Sequence, residues 1–207
     1  AAARAVSAVD DARRAAGFLP VEATAALAGR GVHILDPWST LVSAAVVLEP
    51  GVLLYPGVTV QVLAGGGVTV GAGAVLQAGT RIVADGGMVA IGAGAEIGEE
   101  GGFTLKAEAG DAIRVGEGAR LLGGGSLTRS NEIGRGGQIL GPIRAQACVL
   151  GDGGTHREPD PDLRGGVLKG AGVARGITVP AGHVIQAFGL FAEAPMRRQS
   201  YFPPRPA

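Results

Sequence analysis

Residues 70–82 read VGAGAVLQAGTRI. Aliphatic residues stand at Val70, Leu76 and Ile82, six apart, and the small residues Ala74 and Thr80 repeat at the same interval. A period of six matches neither the 3.6 of an α-helix nor the two of a strand that alternates between faces. It suits a unit made of a short strand and a tight turn. The aliphatic and the small residue both face inward, and glycine or proline makes the corner.

The period extends both ways. Upstream it takes in Leu48, Leu54 and Val60, and after a slip at residues 64–67 it restarts at Val70. A second slip near Met88 leads into Ile91, Ile97, Phe103, Ala109, Val115, Leu121, Leu127, Ile133 and Ile139. Ile143 and Val149 follow a third slip, and Val173, Val179 and Ile185 resume after a break. The fifth place of the unit is small or short, as at Val52, Val58, Ala74, Thr80, Ala95, Gly101, Ala107, Ala119, Gly137 and Ala147, and the turns read EPG, YPG, GAG, GEG and PAG. A repeat of this kind signals a solenoid. Three units close a triangular coil of 18 residues, so Ile97, Val115 and Ile133 are expected to stack as one ladder.

Composition agrees. Glycine supplies 38 of the 207 residues without a Gly-X-Y run, which excludes collagen. The mean hydropathy of +0.31 argues against a disordered chain. Aromatics are scarce, so the core is built from Val, Leu, Ile and Ala. Lysine plus arginine and aspartate plus glutamate balance at 18 each, which leaves no global field for nucleic acid or an anionic membrane. Cys148 is the single cysteine and forms no internal disulfide. The charged start lacks the apolar core of a signal peptide, and a cytoplasmic location is expected. The chain begins with Ala1 rather than Met and reads as processed or as a piece of a longer one.

Residues 1–30 are alanine-rich and charged, and predict helices separated at Pro20, with Val21 opening the second. Residues 153–166, GGTHREPDPDLRGG, break the period and predict an exposed loop. The tail APMRRQSYFPPRPA is basic and proline-rich and predicts an extended arm that leaves the solenoid. The organisation is therefore a helical arm over 1–30, a solenoid over 31–189 with an insertion at 153–166, and a tail over 190–207.

Between arm and first coil lies RGVHILDPWSTLV, residues 30–42. Gly31, Val32, Ile34, Asp36, Pro37 and Thr40 resemble the junction of the bifunctional N-acetylglucosamine-1-phosphate uridyltransferase/glucosamine-1-phosphate N-acetyltransferase family, and LEPGVLLYPGVTV at 48–60 is similar to its first coils. The resemblance covers the acetyltransferase half, from arm helix to last coil. It implies an all-β chain: a left-handed parallel β-helix, or hexapeptide-repeat solenoid. It also implies a homotrimer, acetyl-CoA as co-substrate, and a small amino-sugar phosphate or nucleotide sugar as acceptor. A histidine acts as base. IRAQACVLGDGGTH, residues 143–156, is similar to the stretch that ends in that histidine, which gives His156 the role and Arg144 that of a sugar-phosphate ligand.

Arg129 and Asn131, in LTRSNE, are further candidates for substrate contact, Asn131 also reading as a hydrogen-bonded corner. Lys169, Arg175, Arg197 and Arg198 are candidates for the phosphates of coenzyme A. Cys148 is read as facing outward, and His33 and His183 as structural. The spacing of the three histidines, 33, 156 and 183, does not suit the clustered zinc ligands of β-helical carbonic anhydrases, so no metal is expected. After His156 the chain has REPDPDLRGG where the family has an aromatic and a Gly-Asp pair. That difference motivates the alternative, a non-catalytic trimerisation or regulatory module derived from a sugar-1-phosphate nucleotidyltransferase.

Overall fold

The structure, a computed structural model, describes residues 2–202. Short strands wind into a parallel β-solenoid, each strand pairing with its counterpart one coil on. Three faces result. The first runs from His33–Ile34 through Glu96–Ile97, Arg120–Leu122 and Gln138–Leu140 to Val167–Arg175 and His183–Leu190. The second runs from Leu41–Val42 through Ser126–Thr128 and Ile143–Gln146 to the far halves of the last two long strands. The third runs from Val47–Leu48 to Thr178–Val179.

The core is a set of stacked aliphatics. On the first face Leu54, Leu76, Ile97, Leu121, Ile139, Leu168 and Ile185 lie in register. On the third face Leu48, Val70, Ile91, Val115, Ile133, Leu150 and Val179 do the same. All are buried. One corner repeats a turn six times, beginning at Glu49, Gly71, Gly92, Gly116, Gly134 and Pro180, with a closing bond of 2.9–3.3 Å from the fourth residue to the first. The third residue is always glycine, at φ between 62° and 83°, which only glycine adopts at no steric cost. The fourth residue is buried and small or short at Val52, Ala74, Ala95, Ala119 and Gly137, and is the half-buried His183 in the last coil.

The 18-residue coil holds where Val115 stacks on Ile133, Leu121 on Ile139 and Leu127 on Ala145, and is corrected in the coils on either side. Ile97 stacks on Leu121, 24 residues on, and not on Val115, which pairs with Ile133 on another face. The strand Thr104–Glu108 is long and ends in a turn at Ala109–Gly110, which adds residues to the coil. Leu105 therefore takes the stacking place, in register with Leu127, Phe103 is buried beside it, and Ala109 is exposed on the turn. Near the end the register slips by one. Leu150 stacks and Val149 is exposed, so Cys148, expected outside, is fully buried. Its Sγ donates to the carbonyls of Gln146 and Ala174 at 3.4 Å each, and burial pushes the thiol up from its ordinary value.

The described part of the arm forms helix Ala2–Ala15 and helix Val21–Ala26, followed by a 3-10 turn at Leu27–Arg30. Ala1 lies outside the described residues. Pro20 offers no capping side chain, and Asp10 of the first helix caps the second instead, accepting from Val21 N at 2.9 Å. Arg13 fixes the arm to the solenoid. Its guanidinium is buried and donates to the carbonyls of Pro37, Trp38 and Thr40 at 3.0, 2.9 and 2.8 Å. The Asp36–Thr40 turn that it holds is bonded within itself, Thr40 Oγ1 donating to Asp36 O at 2.7 Å.

The tail behaves differently from expectation over its described part. Phe191 turns back into the end of the core and is fully buried. Met196–Arg198 is extended, yet pairs antiparallel with His183–Ile185 instead of leaving the solenoid. Residues 203–207 lie outside the described residues. No helix among the described residues is long and apolar enough to cross a membrane.

The ladder register yields an expected pair of outcomes. Leu121→Ala opens a cavity in the first-face stack and costs about 2–5 kcal/mol. Ala109→Ser, on an exposed turn, changes stability by less than about 0.5 kcal/mol. Urea unfolding checks both, and a large loss in Ala109→Ser contradicts the register.

Candidate functional site

The side chains that alternate with the stacked aliphatics on the first face point outward. In register they are Val75, Glu96, Arg120, Gln138, Val167 and Val184. Over most of a solenoid such a column is open to water. Here two segments cover its last coils. The loop 153–166 is closed on itself by a bridge between Gly154 and Arg164 and is held to the solenoid by Gly153 N donating to Arg135 O at 2.8 Å and Gly182 N donating to Arg164 O at 2.7 Å. The tail residues 199–202 cross beside it. Gln199 Nε2 donates to Gly165 O at 2.7 Å and His183 O at 3.2 Å, and Ser200 donates through N and Oγ to the Asp162 carboxylate at 3.0 and 2.8 Å. The Ser200 backbone bond is the first cause that holds the Asp162 carboxyl below its ordinary value.

Between these covers and the face lies a groove of about 710 Å³. Its floor is Arg120, Gln138, Leu140, Val167, Lys169 and Val184, and its walls include His156, Pro159, Pro161, Arg164, Ser200 and Phe202. Arginine, lysine, histidine and amide side chains thus converge among aliphatic, proline and aromatic ones, and convergent polar groups in a cleft fix the orientation of a small molecule.

His156 sits half-buried at one wall, and its Nδ1 is buried with no hydrogen-bond partner among the described residues. Burial, and next the Arg120 guanidinium, hold its pKa below the ordinary 6.5, while Glu96 opposes them. The imidazole is thus neutral at pH 7, the form that accepts a proton. Arg120 is itself neutralised: Nε lies 3.3 Å from Glu96 and Nη2 3.3 Å from Glu99. Arg164 is positioned by its Nε donating to Glu158 O at 2.7 Å. Lys169 Nζ lies 5.8 Å from the centre of the Phe202 ring. Among the described residues no carboxylate is within ion-pair distance of Arg164 or Lys169. The groove therefore joins one neutral base to two cations free to meet an anion.

Of the residues singled out from sequence, His156 and Lys169 meet in this groove. The others stand elsewhere on the chain. Arg144 and Arg175 occur on neighbouring strands of the second face, both exposed. Arg129 is at an exposed corner with φ of 64°. Asn131 is buried there and committed to the backbone. Its Nδ2 donates to Thr128 O at 2.9 Å and Arg129 O at 3.2 Å, and its Oδ1 accepts from Cys148 N at 3.0 Å. Arg197 stacks on Tyr201 at 4.3 Å and Arg198 is exposed, both on the tail strand outside the groove lining. His183 is a corner residue, its Nδ1 2.9 Å from Ala181 O, and His33 is exposed on the first strand.

Sequence reading missed Arg120, Gln138 and Arg164. A signal for the first two was present. Each directly precedes a stacked aliphatic, Leu121 and Ile139, and they are 18 residues apart, the same outward place one coil on. No family model matches the sequence, and comparison with curated proteins finds no match either.

The lowered pKa of His156 sets a pH dependence. The unfolded chain takes up a proton near pH 6.5, before the folded one does. Stability is therefore full above that pH and falls as pH drops toward the folded pKa. Unfolding free energies at pH 7.5 and 5.5 are expected to fall more for the native chain than for His156→Gln. An equal fall in both contradicts the assignment.

Proposed function

We propose that the groove is the active site of an acyl-CoA-dependent N-acetyltransferase, with His156 as general base and a small amino-sugar phosphate or nucleotide sugar as acceptor. The observation that carries this reading is the meeting of neutral His156 with the unpaired cations Arg164 and Lys169 in one groove. An amine is nucleophilic only without its proton, and a base whose own pKa lies below 7 is free to take one at neutral pH. The amine nitrogen attacks the thioester carbonyl, its proton passes to His156, and the sulfur departs as the thiol of coenzyme A with a proton returned to it. Arg164 and Lys169 hold the phosphate of the acceptor, which places the amine for attack. The homotrimer implied by the sequence resemblance belongs to the same reading, and sedimentation measures it.

The test is thiol release from acetyl-CoA in the presence of glucosamine 1-phosphate and glucosamine 6-phosphate. The native chain is expected to release thiol with at least one. His156→Gln is expected to lose about 10²–10⁴-fold in kcat with an unchanged melting transition. A full rate in that variant, or no thiol with either acceptor, overturns the reading.

A further inference from the structure

The Gln138 carboxamide, like the His156 Nδ1 atom, stands in the groove without a partner among the described residues. Arg120 is paired with glutamates, Arg164 is tied to a carbonyl, and Gln199 and Ser200 are committed to loop and coil. Gln138 is only 5% exposed, and its carboxamide makes no hydrogen bond to any described residue. Its backbone is held, N donating to Gly166 O at 3.0 Å, so the residue is in place while its amide is unmatched.

The cover over it does not come from the core. Gln138 stands in the outward column between Arg120 and Val167, and the loop and tail close over that column. An amide offers two donors and one acceptor oxygen, and these stay open to the groove: among the described residues the fully buried side-chain atoms without a partner are Arg120 Nε and His156 Nδ1. Valine fills the same place in the next two coils, Val167 and Val184, so the position does not itself demand a polar residue. The amide faces the groove, beside Leu140 and within the lining shared by His156, Arg164 and Lys169.

We propose that Gln138 is a specificity-determining binding residue. Its carboxamide pairs, donor and acceptor together, with adjacent hydroxyls or an amide of a ligand whose anionic group rests on Lys169 and Arg164. This rests on the reading of the groove as a ligand site and does not require acyl transfer. A site built to hydrogen-bond a ligand group rejects analogues that lack it, because its own buried polar atoms are then left unpaired. The groove thus selects polyhydroxylated or amide-bearing anions over plain ones of the same charge.

Calorimetric titration with two probes tests it: glucosamine 6-phosphate, and O-phosphoethanolamine, which keeps the amine and phosphate without the ring hydroxyls. The native chain is expected to bind the sugar at least about 30-fold more tightly. Gln138→Met, similar in length and unable to pair, is expected to bring the two within about threefold by weakening the sugar alone. The native preference stands as a measurement in its own right should the variant fold poorly. A native chain that binds neither probe, or both equally, overturns the proposal, as does a Gln138→Met chain that keeps the preference. Thiol release separates the two claims. A Gln138-dependent preference without thiol release leaves this proposal standing and removes acyl transfer. Thiol release that needs His156, with a sugar preference indifferent to Gln138, does the reverse.

Discussion

The stacking of an inward aliphatic residue on its counterpart in the next coil is the constraint on which this structure depends. A parallel strand of two or three residues holds little by itself. The stack of Leu54, Leu76, Ile97, Leu121, Ile139, Leu168 and Ile185 buries a continuous apolar column, and burial of this kind is the main favourable term in folding. Because each coil must return its aliphatic to the same place, extra residues go into turns and outward loops. The 24-residue step from Ile97 to Leu121 is taken up in this way, as is the longer one from Ile139 to Leu168.

That second detour makes the groove. With the inward register kept on both sides, the loop 153–166 has to lie outside the coil, over the outward residues of the first face. The tail then crosses it and binds it through Ser200 and Asp162. A face that would be open to water becomes the floor of a cavity, and residues on distant coils, such as Arg120 and Lys169, meet His156. The N-terminal end is closed by other means. There Arg13 satisfies three carbonyls of the junction turn, where an unmatched buried group costs about 1–3 kcal/mol.

Much of the solenoid was legible in the sequence, since period and stacking are the same fact seen in one and three dimensions. Leu76, Leu121, Ile133 and Ile139 all stand inward as their spacing says. The reading failed where an uninterrupted count of six ran through a coil of different length, at Ala109, and where the register slipped by one, at Val149 and Cys148. The groove was legible only in part. His156 stood out by its chemistry and Lys169 by its charge. Arg144 and Arg175 were equally plausible by type but belong to another face. Nothing local indicates that a loop and a tail will fold over one face, nor that Gln138 will be enclosed beneath them.

Hydrogen exchange of the backbone amides, with and without saturating glucosamine 6-phosphate, tests most directly that this covered face is where a ligand binds. Slower exchange in residues 138–140, 153–166 and 196–202, with the second face around Arg144 and Arg175 unchanged, is the expected result. Unchanged exchange in those segments, or protection centred on Arg144 and Arg175, would contradict the account.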